Sequence, residues 1–418
     1  MRHLILSIVE RVGARLPAAA LMIVLAAFVD PAIAGIYAWM ILALTLTQAV
    51  LDQPLRQVSI EAIVSTEGRH FIHRVLTIGT IGATTFLLCV FGVLVFAYFA
   101  DSNGQVLYLG VLAVVPLLTN LGIPYVAELQ VTHRWRELAQ TQALAGTAAM
   151  ALTLPVLILT GTLLGPALQP VLAELANSLE VRRRARRTPL DVSQDVQVSA
   201  RELAREWRGT VVYSVLGWGQ GQADRLLVGA IAGTAQLGAF AYASALGRTA
   251  GDAVSNAGVN VLRSKVIGVG LSEVRALLAT ASLRAVVANA LAALLVALLS
   301  AFVLPLFLLD GWREALRAAP VIALSTVPGA VSWHITVVLI VQRRTARALP
   351  VRVVGVLLAL PVALAATVSL ETAAWLIVVR EVVVMLLLML VVRPLTPIAA
   401  PAVALIVAGV GAALVALS

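Results

Sequence analysis

Thirteen runs of about twenty apolar residues follow one another along this chain, many separated by only a few residues. A run of that length is what a helix needs to cross the hydrocarbon core of a bilayer. The runs cover residues 16–33, 36–55, 75–99, 106–127, 139–160, 163–181, 210–232, 236–261, 281–308, 316–341, 351–369, 372–392 and 397–417. Charged residues make up only 12 % of the chain, where a soluble domain carries about 25 %. The expected fold is therefore an all-α polytopic membrane protein. Residues 1–15 read as a short amphipathic helix lying on the membrane surface. The first apolar run passes into the next without a cleavage site, so no removable signal peptide is expected.

The basic residues set the orientation. With the N-terminus placed inside, 25 of the 30 Lys and Arg residues fall in inner segments and only Arg313 and Arg317 fall outside. That is the positive-inside pattern. It predicts a multi-pass protein of the cell (cytoplasmic or inner) membrane with a cytoplasmic N-terminus. The net charge of +9 is a consequence of this topology, and no nucleic-acid partner is expected. The outer connections run from three to seven residues, as at 30–34, 160–162 and 369–371. No soluble domain is attached, and the one long hydrophilic segment is 182–209.

Landmarks recur on either side of that segment. Gly35-Ile-Tyr-Ala38 is echoed by Gly238-Ala-Phe-Ala241, Pro116 and Pro124 by Pro320 and Pro328, and Pro155 by Pro361, at offsets of 203, 204 and 206. The expected organisation is an N-lobe of six spans (1–181), a cytoplasmic basic linker (182–209), a C-lobe of six spans (210–392) and an extra C-terminal span (393–418). Two units with an even number of spans share one orientation. They are thus related by a pseudo-twofold axis along the membrane normal. The prolines within the spans imply bent helices, because each removes a backbone hydrogen bond. The small-residue faces Gly217/Gly221, Gly229/Gly233 and Gly247/Gly251 are expected to pack spans seven and eight.

Charges within these spans are the candidate functional groups. Each costs roughly 2.5–3.5 kcal/mol at the bilayer centre on insertion scales, so it must face protein or water. Asp224 and Arg225 lie side by side in span seven. They point to different helical faces and satisfy each other poorly, and Arg248 is the expected partner of Asp224. Asp52 and Arg56 in span two, and Arg248 and Asp252 in span eight, are four apart and can pair on one face. Asn256 continues the second of these faces, and Arg380-Glu381 lies in span twelve. Each pair reads either as a structural bridge or as the wall of a polar cavity. Arginines in such a cavity suit an anionic ligand, since the guanidinium fork binds phosphate bidentately. His334 reads as a packed helix residue or a proton carrier, and Asn120 as an interhelix hydrogen bond. The single Cys89 excludes a disulfide within the chain. No nucleotide loop, metal set or nucleophile elbow is present, so neither a metal nor an enzymatic site is expected.

The segment from Trp218 to Ala243 resembles bacterial polysaccharide (lipid-linked oligosaccharide) flippases of the multidrug/oligosaccharidyl-lipid/polysaccharide exporter superfamily. Asp224, Arg225, Gly229, Gly233, Leu237, Gly238, Phe240 and Ala243 occupy the places of that pattern. The first hairpin, Asp30 to Ala38, is similar to the equivalent N-lobe turn. Two features depart from the family: it commonly has twelve or fourteen spans rather than thirteen, and some members carry basic residues in span one, whereas none occurs here between Arg15 and Arg56.

The resemblance implies that the protein flips a polyprenyl-diphosphate-linked saccharide, a polysaccharide or cell-envelope precursor, from inner to outer leaflet by alternating access. It implies no cofactor beyond a coupling ion, H+ or Na+. The implied partners are the lipid-linked saccharide, membrane lipids and other polysaccharide-assembly membrane proteins. The substrate-binding cavity would be lined by Arg56, Arg225, Arg248, Asp52, Asp224, Asp252, Asn256 and Arg380. An ion-coupled antiporter of drugs or small molecules from the same superfamily is the nearest alternative. A membrane glycosyltransferase or polymerase acting on lipid-linked sugar would need larger outer loops. A scaffold recruiting partners through the 182–208 loop is a further alternative.

Overall fold

Two prolines stand where spans break, whereas Pro124, Pro155, Pro320 and Pro328 lie inside continuous helices. Pro54 has no N–H to give the carbonyl of Val50, and Pro361 none to give that of Leu357. Those two residues are where helices end. The expected second span therefore divides into α1 (Pro31–Val50) and α2 (Asp52–Ala62), with Asp52 in the first turn of the new helix. A carboxylate is favoured at that position by the helix dipole. The expected eleventh span divides likewise into α11 (Leu349–Leu357) and α12 (Ala359–Ala366).

The computed structural model describes Pro17 and residues 20–63, 65–98, 104–132, 134–187, 199–266, 269–342 and 345–391. The surface helix expected over 1–15, the thirteenth span with its C-terminal helix, and the middle of the basic linker lie outside these residues. The remaining helices are α3 (Thr66–Tyr98), α4 (Val115–Val131), α5 (Trp135–Thr160), α6 (Leu164–Ala185) and α7 (Ala200–Ile231). They continue with α8 (Thr234–Lys265), α9 (Leu271–Leu298), α10 (Arg313–Val341) and α13 (Leu370–Val391). Regular structure among the described residues is entirely helical. Eight of the helical stretches are long and apolar enough to cross a membrane, and the all-α polytopic membrane fold stands. The expected spans at 163–181, 210–232 and 236–261 form α6, α7 and α8 but are not among those 8. They are the helices that carry Glu174, Asp224, Arg225, Arg248 and Asp252.

The chain divides into two compact units, Ile36–Gly221 and the remainder, Met1–Gly35 with Gln222–Ser418. In the unit of residues 36–221, α6 packs against α4 and α5, and α4 packs against α2 and α3. Leu55, Val58, Ile72 and Ile123 belong to one apolar core cluster of this unit, with Trp207 packed against it. Helix α3 is different: only 11 % of its apolar window is buried, so most of this face is left for lipid. Asn120 donates from α4 to the Thr80 hydroxyl of α3, the interhelix bond expected of it.

In the other unit α10 is central. It packs against α8, α9 and α13, and 89 % of its apolar window is buried. His334 is fully buried on it. The Gly247/Gly251 face of α8 meets α10, not α7 as expected from sequence: a Cβ at Gly247 would lie 2.6 Å from the Ala319 carbonyl oxygen, and one at Gly251 2.4 Å from the Thr326 hydroxyl. A small-residue stripe marks a close approach but does not name the helix that approaches. Ahead of α1, the helix over residues 20–25 ends in a turn at 26–28. Its freed Val29 carbonyl accepts the Trp312 indole N–H at 3.1 Å, and the Trp312 ring lies 4.8 Å from that of Tyr242. Beside it the first residues of α1 cross those of α8. A Cβ on Gly35 would lie 1.9 Å from the Thr234 carbonyl oxygen, and one on Gly238 1.8 Å from that of Pro31. The two glycines that mark the sequence repeat are thus the two that touch.

Candidate functional site

Helix α13 is apolar enough to span a membrane, yet it carries Arg380 at 2 % exposure. A guanidinium in such a place needs anions, and it has two. One arm hydrogen-bonds the Asp224 carboxylate from α7, and the other donates to Glu381 Oε1 at 2.8 Å. Both acids are themselves buried. The partner of Asp224 is therefore Arg380 and not Arg248, which corrects the pairing read from sequence. Counting residues from the α7–α8 turn measures depth along the helices but not direction around them. Arg248 still lies within electrostatic reach of Asp224.

The remaining charges of this unit are less well matched. Arg225 donates to Gln222 of its own helix at 3.1 Å. It lies within electrostatic reach of Arg248, Asp224 and Asp252. Arg248 Nε is buried without a hydrogen-bond partner. Arg248 and Asp252 do not form, among the described residues, the ion pair that their four-residue spacing allows. Asn256 turns its amide to the Asp252 carbonyl at 2.7 Å, so that donor is spent on its own helix. The structure thus brings Asp224, Arg225, Arg248, Asp252 and Arg380 into one charge cluster. It also adds Glu381, which the sequence placed only as a neighbour of Arg380.

In the unit of residues 36–221, Arg56 and Asp52 form the expected pair on α2, at 2.6 Å. Sequence reasoning missed their neighbour, Glu174 on α6, which lies within electrostatic reach of both. Its Oε2 is buried without a hydrogen-bond partner. The signal was a charge inside an apolar span, the rule that also singled out Asp224. Asn289 on α9 also went unread. It is fully buried and donates to Ser255 of α8 at 3.2 Å.

The charge cluster around Arg380, in the unit of residues 1–35 and 222–418, suits an anion. Arg380 takes up Asp224 and Glu381, while Arg225 and Arg248 lie within electrostatic reach of each other with Asp252 beside them, and Arg248 Nε has no hydrogen-bond partner. In a low-dielectric interior two such cations repel each other, and a shared anionic ligand relieves the repulsion.

No family model and no curated protein sequence matches the chain. Solved structures do. A lipid II flippase MurJ in an inward closed conformation aligns with a TM-score of 0.67 at 12 % identity, over 99 % of this chain and 92 % of that one. A MATE transporter in the straight conformation aligns at 0.65 and 16 % identity, over 97 % and 95 %. A MOP-superfamily transporter from Pyrococcus furiosus, described as having a binding pocket of reversed polarity, aligns at 0.63 and 16 % identity, over 96 % of each chain. The chain has the fold of these MOP-superfamily transporters.

Proposed function

We propose that this protein, on the fold of the MOP-superfamily transporters, flips a polyprenyl-diphosphate-linked saccharide across a cell membrane by alternating access. The observation that carries the reading is Arg248, whose Nε is buried without a hydrogen-bond partner and which lies within electrostatic reach of Arg225, once Arg380 has taken up Asp224 and Glu381. A diphosphate bears at least two charges, and two adjacent guanidinium forks can hold it bidentately. The similarity to a lipid II flippase supports the same class of cargo. The basic asymmetry of the sequence supports a cytoplasmic N-terminus. A cysteine placed at Thr188 is expected to be labelled only from the cytoplasmic side; labelling from outside alone would reject that orientation.

The test is the accumulation of lipid-linked saccharide on the cytoplasmic leaflet of cells lacking the protein. Restoring the native chain should clear it. Arg248→Ala should fail to clear it while reaching the membrane in normal amount, and Arg248→Lys should restore only part of the activity, because a point charge loses the bidentate geometry. Normal transport by the Ala variant would reject the reading. One observation favours a second reading, an antiporter of cationic drugs: the unpartnered Glu174 oxygen offers a cation a site. Under that reading Glu174→Gln abolishes efflux of a lipophilic cation and Arg248→Ala does not.

A further inference from the structure

One cleft lies apart from the charge cluster. It measures about 670 Å³ and runs between α3 and α4 in the unit of residues 36–221, with Arg182 of α6 at one end. Its α3 wall is a single helical face, starting at Arg69 and His73 and ending at Thr80 and Ile81. Twelve residues separate Arg69 from Ile81, or about 18 Å along the helix. That is close to the half-thickness of a hydrocarbon core of about 30 Å.

The cleft is polar at one end and apolar at the other. Arg69, His73, Tyr125, Glu128 and Arg182 gather at the first end, and Ile81, Leu117 and Leu121 line the second. Those three apolar side chains are 65 %, 48 % and 57 % exposed, on helices that leave this side unpacked. The polar end holds two guanidinium groups against one carboxylate, and the guanidiniums are not used up. Arg69 spends Nε on the Ile63 carbonyl at 2.9 Å. Its Nη2 is buried with no hydrogen bond and lies 3.9 Å from Glu128. Arg182 stands 5.8 Å over the Tyr125 ring and has no carboxylate partner among the described residues.

We propose that this cleft binds one anionic glycerophospholipid, with its phosphodiester between Arg69 and Arg182 and an acyl chain along Ile81, Leu117 and Leu121. Basic recesses between membrane helices hold anionic head groups in this way. Here the excess of positive charge sits at the end where a head group would lie, and the apolar wall is as long as one leaflet is deep. The site shares no residue with the Asp224–Arg380 cluster.

The full chain, purified in mild detergent, is equilibrated with phosphatidylglycerol or phosphatidylcholine of identical acyl chains, and bound lipid is counted by native mass spectrometry. Phosphatidylglycerol should be retained at least tenfold over phosphatidylcholine. Arg69→Ala with Arg182→Ala should remove that preference, and the Arg→Lys pair should keep part of it. Leu121→Trp, at an exposed position, fills the apolar end without touching either arginine and should also lower retention tenfold. Equal retention of both lipids by the native chain would overturn the site, as would an unchanged preference in the Ala pair or undiminished phosphatidylglycerol retention by Leu121→Trp. Millimolar glycerol 3-phosphate should not displace the lipid. Displacement would mean a site for soluble phosphate and would equally overturn the proposal. Transport in the same variants reports on the charge cluster, so the two readings fail separately.

Discussion

Asp224→Asn is expected to destabilise the folded protein by roughly 1.5–3 kcal/mol, the loss of a buried hydrogen bond between charged groups. Arg380 is 2 % exposed and cannot turn to water. Once Asp224 is neutral, Arg380 keeps Glu381 as its ionic partner but loses the charged hydrogen bond that ties α13 to α7. A double-mutant cycle separates bonded partners from neighbours. Asp224→Asn with Arg380→Gln should lose clearly less than the sum of the two single losses. Asp224→Asn with Arg248→Gln should be closer to additive, because Arg248 acts on Asp224 only at a distance. Thermal unfolding of the purified variants in detergent measures both cycles. Additive losses in the Arg380 cycle would show that the pair does not hold the helices together.

Gly238→Ala should be at least as damaging, although it adds a single methyl group. Its Cβ would lie 1.8 Å from the Pro31 carbonyl oxygen, a backbone atom that no rotamer change can move aside. Helix α8 would have to withdraw from the start of α1, and with it the neighbouring contacts of Trp312 with Val29 and Tyr242 would loosen. The expected loss is about 3 kcal/mol or more, at the top of the range for overpacking a fitted interior. Gly35→Ala should behave alike, with its Cβ 1.9 Å from Thr234. Gly221→Ala is the control: nothing lies within 4 Å of its Cβ, and it should be neutral or slightly stabilising, since alanine favours a helix interior by roughly 0.5–1 kcal/mol. The yield of folded protein from membranes distinguishes these outcomes. If Gly238→Ala folds as well as Gly221→Ala, the crossing is not a close contact.

The membrane class and the helical spans were legible because apolar length is a property of the chain itself. Burial in lipid asks only for about twenty apolar residues in a row. The break before Ala359 falls at Pro361, a position read as a bend, whereas the break after Val50 was not read, although Pro54 marks it. A proline acts on the carbonyl four residues before it, and Pro54 and Pro361 are in plain view. The Asp52–Arg56 pair also followed from spacing, because both groups lie on one turn of one helix. Even Glu174 could have been read, by the rule that found Asp224.

The partners of the intramembrane charges could not be read from the sequence. Asp224 lies 156 positions from Arg380, and no period in the chain connects them. Depth in the membrane was available by counting from a turn, and it pointed Asp224 to Arg248, although Arg380 also lies within a span. Choosing between them needs the rotation of α7 about its axis and the helix it faces. Those are set by side-chain packing across the whole bundle. The same limit applies to the glycines. The sequence marked Gly247 and Gly251 as a surface of close approach, and only packing decided that α10, rather than α7, fills it. Sequence determines what each helix presents to its surroundings; tertiary structure decides which neighbour receives it, because an interior charge or an absent side chain has meaning only against the atoms that complete it.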